Sequence, residues 1–147
     1  MSLRVSEVVI DCAEHGAVVD FWQAALDYER QEVNEQYVGL APREKAPGRP
    51  PILFQKVPES KVVKNRVHLD FRTESRVAEM SRLEGLGATV LREGSLGSMH
   101  WTVMADPEGN EFCVSDGSCA VRRPLGYVVG YAIYPGIVTP LWLTGRR

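Results

Sequence analysis

Cysteine is scarce in this chain. Its 147 residues hold three, Cys12, Cys113 and Cys119, with no Cys-x-x-Cys pair, too few and too scattered for a disulfide framework or a paired-thiolate metal site. Such usage fits a reducing compartment. An excess of one charge is missing too: 17 Lys and Arg against 19 Asp and Glu leave a formal net charge of -2, without the basic footprint that marks nucleic-acid binding. The first residues, Met-Ser-Leu-Arg-Val-Ser-Glu, lack the apolar run of a secretory signal, so the expectation is a cytoplasmic protein. There is no Gly-x-Gly-x-x-Gly behind a strand, no phosphate-binding lysine loop, no Gly-x-Ser-x-Gly elbow and no His-Glu-x-x-His. Nucleotide binding and triad hydrolysis are therefore not suggested. What is present, 44% hydrophobic and 24% charged residues, describes one ordinary globular domain with a real core.

Two halves of the chain read alike. In the first, residues 7–11 form a short apolar strand ending in Asp11, followed by a helix with Val18, Phe21, Trp22, Ala25 and Leu26 at helical spacing. In the second, residues 67–71 form the strand, and a helix from about Ser75 sets Val77, Met80, Leu83 and Leu86 on one side, with Gly87 as its stop. The two units lie about sixty residues apart, the mark of a duplicated module. Further strands are expected at 28–33, 37–41, 51–57, 88–91, 101–105 and 111–115. Residues 42–50 read as a loop, 58–66 as the linker between modules and 94–98 as a mobile connection. Asp106-Pro107-Glu108-Gly109 is tight-turn chemistry, because Pro fixes one φ and Gly supplies a left-handed one.

These features together resemble the vicinal oxygen chelate superfamily, which holds the glyoxalase, bleomycin-resistance and extradiol dioxygenase proteins. The resemblance rests on the two modules, the Asp20-Phe21-Trp22 helix, the Asn65-Arg66-Val67-His68-Leu69-Asp70 strand and the Asp106-Pro107-Glu108-Gly109-Asn110 turn, and it is nearest to small single-domain glyoxalase-like proteins. It implies an α+β fold of two βαβββ modules, about 3–58 and 65–116 within a domain 1–116, whose mixed sheets curl into a cup. It also implies a homodimer, and a small-molecule ligand in a pocket. Metal-binding members carry ligands on the first and last strand of each module. The matching positions here are Glu7, a residue within one or two of Gln55, His68 and Cys113. Glu7 and His68 are the metal candidates of this set, and a bound ion would be zinc, nickel, manganese or iron. The set is chemically poor for one ion, since an amide is a weak ligand and a lone thiolate mixes badly with an oxygen-rich site.

Each residue also has a plainer reading. His68 alternates with Val67 and Leu69, so it shares a face with Asp70 as either an acid–base pair or a satisfied polar pair. Cys113 reads more simply as a small buried hydrophobe than as a nucleophile. Phe21 and Trp22 are simplest as core. His100, Thr102 and Met104 lie on one face of their strand, Trp101 and Val103 on the other, and the sequence leaves open which meets a ligand. Pocket candidates are thus His68, Asp70, Trp101, Gln55 and Cys113.

The resemblance stops near residue 116. The extension 117–147 contains an uncharged stretch, 125–144, long enough to span a bilayer but broken by glycines and prolines, so an extra strand or arm is the better expectation than a membrane span. Two functions stand open. One is a protein that binds a small molecule without the family's complete metal site. The other is a metal-dependent lyase, isomerase or dioxygenase acting on a substrate with vicinal oxygens.

Overall fold

The computed structural model describes residues 3–44 and 46–117; the expected arm and Cys119 lie outside the described residues. The first module runs β1 (Val8–Cys12), α1 (His15–Leu26), β2 (Tyr28–Glu32), β3 (Tyr37–Pro42) and β4 (Ile52–Lys56). The second repeats it as β5 (Leu69–Thr73), α2 (Arg76–Gly85), β6 (Thr89–Leu96), β7 (Met99–Ala105) and β8 (Glu111–Asp116). Each module makes one open four-stranded mixed sheet, ordered β1-β4-β3-β2 and β5-β8-β7-β6. The first and last strands of each module pair in parallel, and the other ladders are antiparallel.

Local chemistry sets the boundaries. The Ser75 hydroxyl caps α2 by accepting from the Ala78 amide, and Gly87 beyond its end takes φ 111°, a conformation that suits glycine. At the end of α1 the left-handed residue is Asp27 (φ 53°). α1 has no side-chain cap of its own. Its neighbours Ala13 and Glu14 instead donate their amides to the Glu108 carboxylate of the second module, at 3.2 and 3.3 Å.

Two expectations change. β5 starts at Leu69, so His68 stands just ahead of it. The 94–98 stretch is no mobile connection, because Gly94, Ser95 and Leu96 pair with Trp101, His100 and Met99 as the end of β6. A Cβ at Gly94 would lie 2.5 Å from the Trp101 ring, so the missing side chain leaves room for the indole across the ladder.

Both sheets turn one face to the helices and leave the other open. On the helix side of the first sheet Val8, Ile10, Cys12, Val38, Leu40, Ile52 and Phe54 pack with α1; the second sheet contributes Phe71, Met104, Phe112 and Val114 to the same cluster. α1 serves both sheets. Phe21, Trp22, Phe71 and Phe112 form one aromatic group, with Trp22 and Phe112 centroids 5.1 Å apart and Trp22 and Phe71 at 5.6 Å. Each such pair adds about 1 kcal/mol beyond its burial.

Candidate functional site

The open face of the second sheet carries the reactive side chains. Parallel pairing sets Asp70 opposite Cys113, and antiparallel pairing sets Cys113 opposite Val103. His68, two residues before Asp70, points to the same side, with Nε2 3.5 Å from Asp70 Oδ1. One ligating atom from each of His68, Asp70 and Cys113 lies within 4.8 Å of the other two. Cys113 is buried, His68 partly buried and Asp70 exposed. Burial pushes the Cys113 thiol up to about 12; the Asp70 charge and its hydrogen bond from the thiol push the same way, while Arg92 and Lys64 oppose them. The resting group is a thiol rather than a nucleophilic thiolate.

The modules correspond residue by residue. Val8 and Leu69 each open a strand seven residues ahead of a helix, and pair with Ile52 and Phe112. Glu7 therefore corresponds to His68, Val9 to Asp70 and Leu53 to Cys113, while Gln55 corresponds to Ser115. The position in β4 that the sequence left open to a residue or two is Leu53, an apolar side chain that cannot ligate. Gln55 lies on the same open face, opposite Asp11 and Tyr37. Glu7, exposed just ahead of β1, is outside the His68–Asp70–Cys113 group.

A cleft of about 320 Å³ runs along the seam between the β1 edge and the approach to β5. Val8, Val9, Ile10, Leu69 and Phe112 give it apolar walls, and Asp11, Asn65, Arg66, His68 and Glu111 supply polar groups. Of the residues expected to line a pocket, His68 is in this cleft; Asp70, Trp101, Gln55 and Cys113 are on the open sheet faces instead. Trp101 shares its face with Val103 and Cys113, whereas Thr102 and Met104 are turned inward, Thr102 against Met80 and Arg76 of α2. Burial alone would raise the Glu111 carboxyl, yet hydrogen bonds from the Asn65 amide (2.9 Å) and Lys61 hold it below the ordinary range. Asp11 and Glu111 were not expected as cleft residues, because nothing local shows that strand segments 100 residues apart will meet.

The Asp106 turn has a structural task the sequence did not reveal. The buried Asp106 carboxylate accepts from Trp22 Nε1 of α1 at 2.9 Å and from the Glu108 and Asn110 amides at 3.0 and 2.9 Å. Burial outweighs these bonds and raises its carboxyl above the ordinary value. Its turn thus fastens the second module to α1.

Comparisons with known proteins fit this architecture. The Glyoxalase-like domain family matches residues 7–115. No protein of curated function matches the chain. Among solved structures, a glyoxalase/bleomycin resistance protein/dioxygenase family enzyme from Burkholderia phytofirmans PsJN is 20% identical with TM-score 0.59, covering 76% of this chain and 96% of its own. The fosfomycin resistance protein FosX from Listeria monocytogenes is 13% identical with TM-score 0.65, covering 81% and 97%, and a variant of it has been solved with Mn(II) and 1S,2S-dihydroxypropylphosphonic acid. Lactoylglutathione lyase from Agrobacterium tumefaciens is 17% identical with TM-score 0.57, covering 80% and 96%. At these identities the likeness is one of fold. Two βαβββ modules wired in the same order, together with the family match over most of the chain, place this protein in the glyoxalase-like family of the vicinal oxygen chelate superfamily.

Proposed function

We propose that this protein binds a small molecule in the seam cleft and lacks the complete four-strand metal site of its metal-dependent relatives. The observation that carries the reading is Leu53. Of the four corresponding positions Glu7, Leu53, His68 and Cys113, one offers no donor and another is a thiol, a poor match to an oxygen-rich ion site. The cleft supports the binding half of the reading: its volume is at the lower end of small-molecule sites, and its walls are apolar with a few convergent polar groups. Asp11, Arg66, His68 and Glu111 would orient the ligand. The protein would act as a homodimer in the cytoplasm, its open sheet faces completed by a second copy. Among the described residues no helix is long and apolar enough to cross a membrane.

Fosfomycin, bleomycin and lactoylglutathione, chosen from the named relatives, form the first ligand panel, read by saturable quenching of tryptophan emission. At least one should bind. Val9→Arg, which projects a long cation from a half-exposed cleft position, should abolish that binding without lowering the melting temperature; undiminished binding in Val9→Arg sinks the assignment to this cleft.

A metal-dependent lyase, isomerase or dioxygenase is the second reading, favoured by the presence of two metal-ligating side chains, Glu7 and His68, at corresponding positions of the two modules. Metal analysis of protein purified without chelator or affinity tag separates the two. A stoichiometric ion that supports turnover and is lost in both Glu7→Ala and His68→Ala would establish the enzyme reading.

A further inference from the structure

Zinc accepts nitrogen, oxygen and sulfur donors at about 2.0–2.3 Å in a tetrahedron, which sets its ligand atoms about 3.3–3.6 Å apart. His68 Nε2 and Asp70 Oδ1 already stand at 3.5 Å, and the triangle with the Cys113 sulfur closes within 4.8 Å. Among the described residues no other set of three His, Cys, Asp or Glu side chains comes this close. We propose that His68, Asp70 and Cys113 bind one zinc ion entirely within the second module, leaving a fourth position open on the cup face.

Backbone pairing builds the triangle. His68 and Asp70 are alternate residues of one extended segment, and Cys113 faces Asp70 across the parallel ladder. The Asp70 side chain is 69% exposed, so an ion arriving from solvent meets a carboxylate first and the buried sulfur last. An imidazole and a thiolate select zinc over magnesium, calcium and manganese, which favour oxygen. Three protein ligands with one open position is the arrangement of zinc sites that hold water or a ligand oxygen.

This site differs from the four-strand one. It draws nothing from β1 or β4, and it uses Asp70, whose counterpart Val9 offers no donor. It shares His68 with the seam cleft, while Asp70 and Cys113 lie outside that cleft; failure of the ligand panel therefore leaves the zinc site standing, and failure of metal binding leaves the cleft standing.

The test uses the full chain, untagged and stripped with chelator, titrated with Zn²⁺ by calorimetry and with Co²⁺ as spectroscopic reporter. One equivalent of Zn²⁺ should bind, and the Co²⁺ form should show a sulfur-to-metal charge-transfer band. Cys113→Ser should remove that band and weaken Zn²⁺ binding by on the order of a hundredfold. His68→Ala should weaken it comparably, and because His68 stands ahead of β5 rather than within the ladder it keeps the test decisive if Cys113→Ser fails to fold. Glu7→Ala, Gln55→Ala, Cys12→Ser and Cys119→Ser should leave both readouts unchanged. Absence of binding at micromolar Zn²⁺ overturns the proposal. So does a band that disappears with Cys12→Ser or Cys119→Ser, or a weak octahedral Co²⁺ spectrum that depends on Glu7 and survives Cys113→Ser.

Discussion

On the open face of the first sheet, the row shared by β1 and β4 reads Val9 opposite Leu53; in the second sheet the corresponding row reads Asp70 opposite Cys113. Turned toward the helices, the two sheets differ less: Ile10 corresponds to Phe71, Ile52 to Phe112 and, in the neighbouring strands β3 and β7, Leu40 to Met104. One face is held to an apolar pattern by the shared core, while the other varies between modules on an identical backbone frame. The modules also differ in dependence. α1 takes much of its capping and its buried polar partner from the second module: Glu108 at its start, Asp106 at its middle, and Arg82 of α2, which donates to the Ala24 and Ala25 carbonyls at its end, beside Arg49 of its own module on the Leu26 carbonyl. Duplication thus yields two copies of one wiring, with the second copy holding both the fastening and the reactive cluster.

The largest expected effect breaks that fastening. Asp106→Ala leaves the buried Trp22 indole N–H without its partner and strips two turn amides of their acceptor. A buried donor left unsatisfied costs about 1–3 kcal/mol, so the total loss should be about 3 kcal/mol in urea-induced unfolding. Asp106→Asn should lose less, because its amide oxygen still accepts from Trp22 and no charge is buried. The unfolding of Asp106→Ala should remain a single transition, since α1 shares one core with both sheets. A loss below about 1 kcal/mol, against that expectation, or a second module that stays folded after the first melts, would show that the modules are separate units.

A smaller effect distinguishes the two open faces. A Cβ at Gly94 in the second sheet would meet the Trp101 ring at 2.5 Å, whereas one at Gly39 in the first meets Gln31 Cβ at 3.6 Å, an ordinary contact. Gly94→Ala must displace the indole and should cost about 1–2 kcal/mol, with a shift in tryptophan emission. Gly39→Ala should stay within about 0.5 kcal/mol of the parent and can stabilise by restricting the unfolded chain. Equal melting temperatures for the two variants would remove the contrast.

The repeat, the helix faces and the turn were legible because each is written in local periodicity and turn chemistry. Val18, Phe21, Trp22 and Leu83 were read as helix faces and are buried there, whereas Val77, read onto the same side of α2 as Leu83, is exposed. That His68 and Asp70 share a face followed from strand alternation; that Cys113 joins them there depends on the β5–β8 register. What stayed hidden is pairing across distance. The register that makes Leu53, rather than Gln55, the counterpart of Cys113 depends on which residues of β1 and β4 meet. Asp106 looked like turn chemistry because its partner Trp22 lies 84 residues away. Gly94 suggested a loop, since a glycine that admits a cross-strand Trp looks locally the same as one that loosens a connection.

The smallest effect concerns two buried thiols, one from each module. Cys12, on the helix side of β1, is pushed up to about 11 by burial and by the charges of Glu108, Asp106, Asp11 and Glu14; Cys113, on the open side of β8, is pushed up to about 12 by burial and Asp70. Both folded values lie above the ordinary thiol value of 9.0, so the unfolded chain releases these protons first. The stability they contribute is full below pH 9.0 and is lost as pH rises through about 11 for Cys12 and about 12 for Cys113. Metal-free Cys113→Ala and Cys12→Ala should each flatten the alkaline decline of the urea midpoint relative to the parent, Cys113→Ala the more. Lysine and tyrosine titrations are common to all three proteins and cancel in the differences. Asp70→Asn should weaken only the Cys113 component, because Asp70 is among the groups acting on that thiol and not on Cys12. An alkaline slope that responds equally to Asp70→Asn with Cys113 present and with Cys113 replaced would break the link between Asp70 and the thiol opposite it.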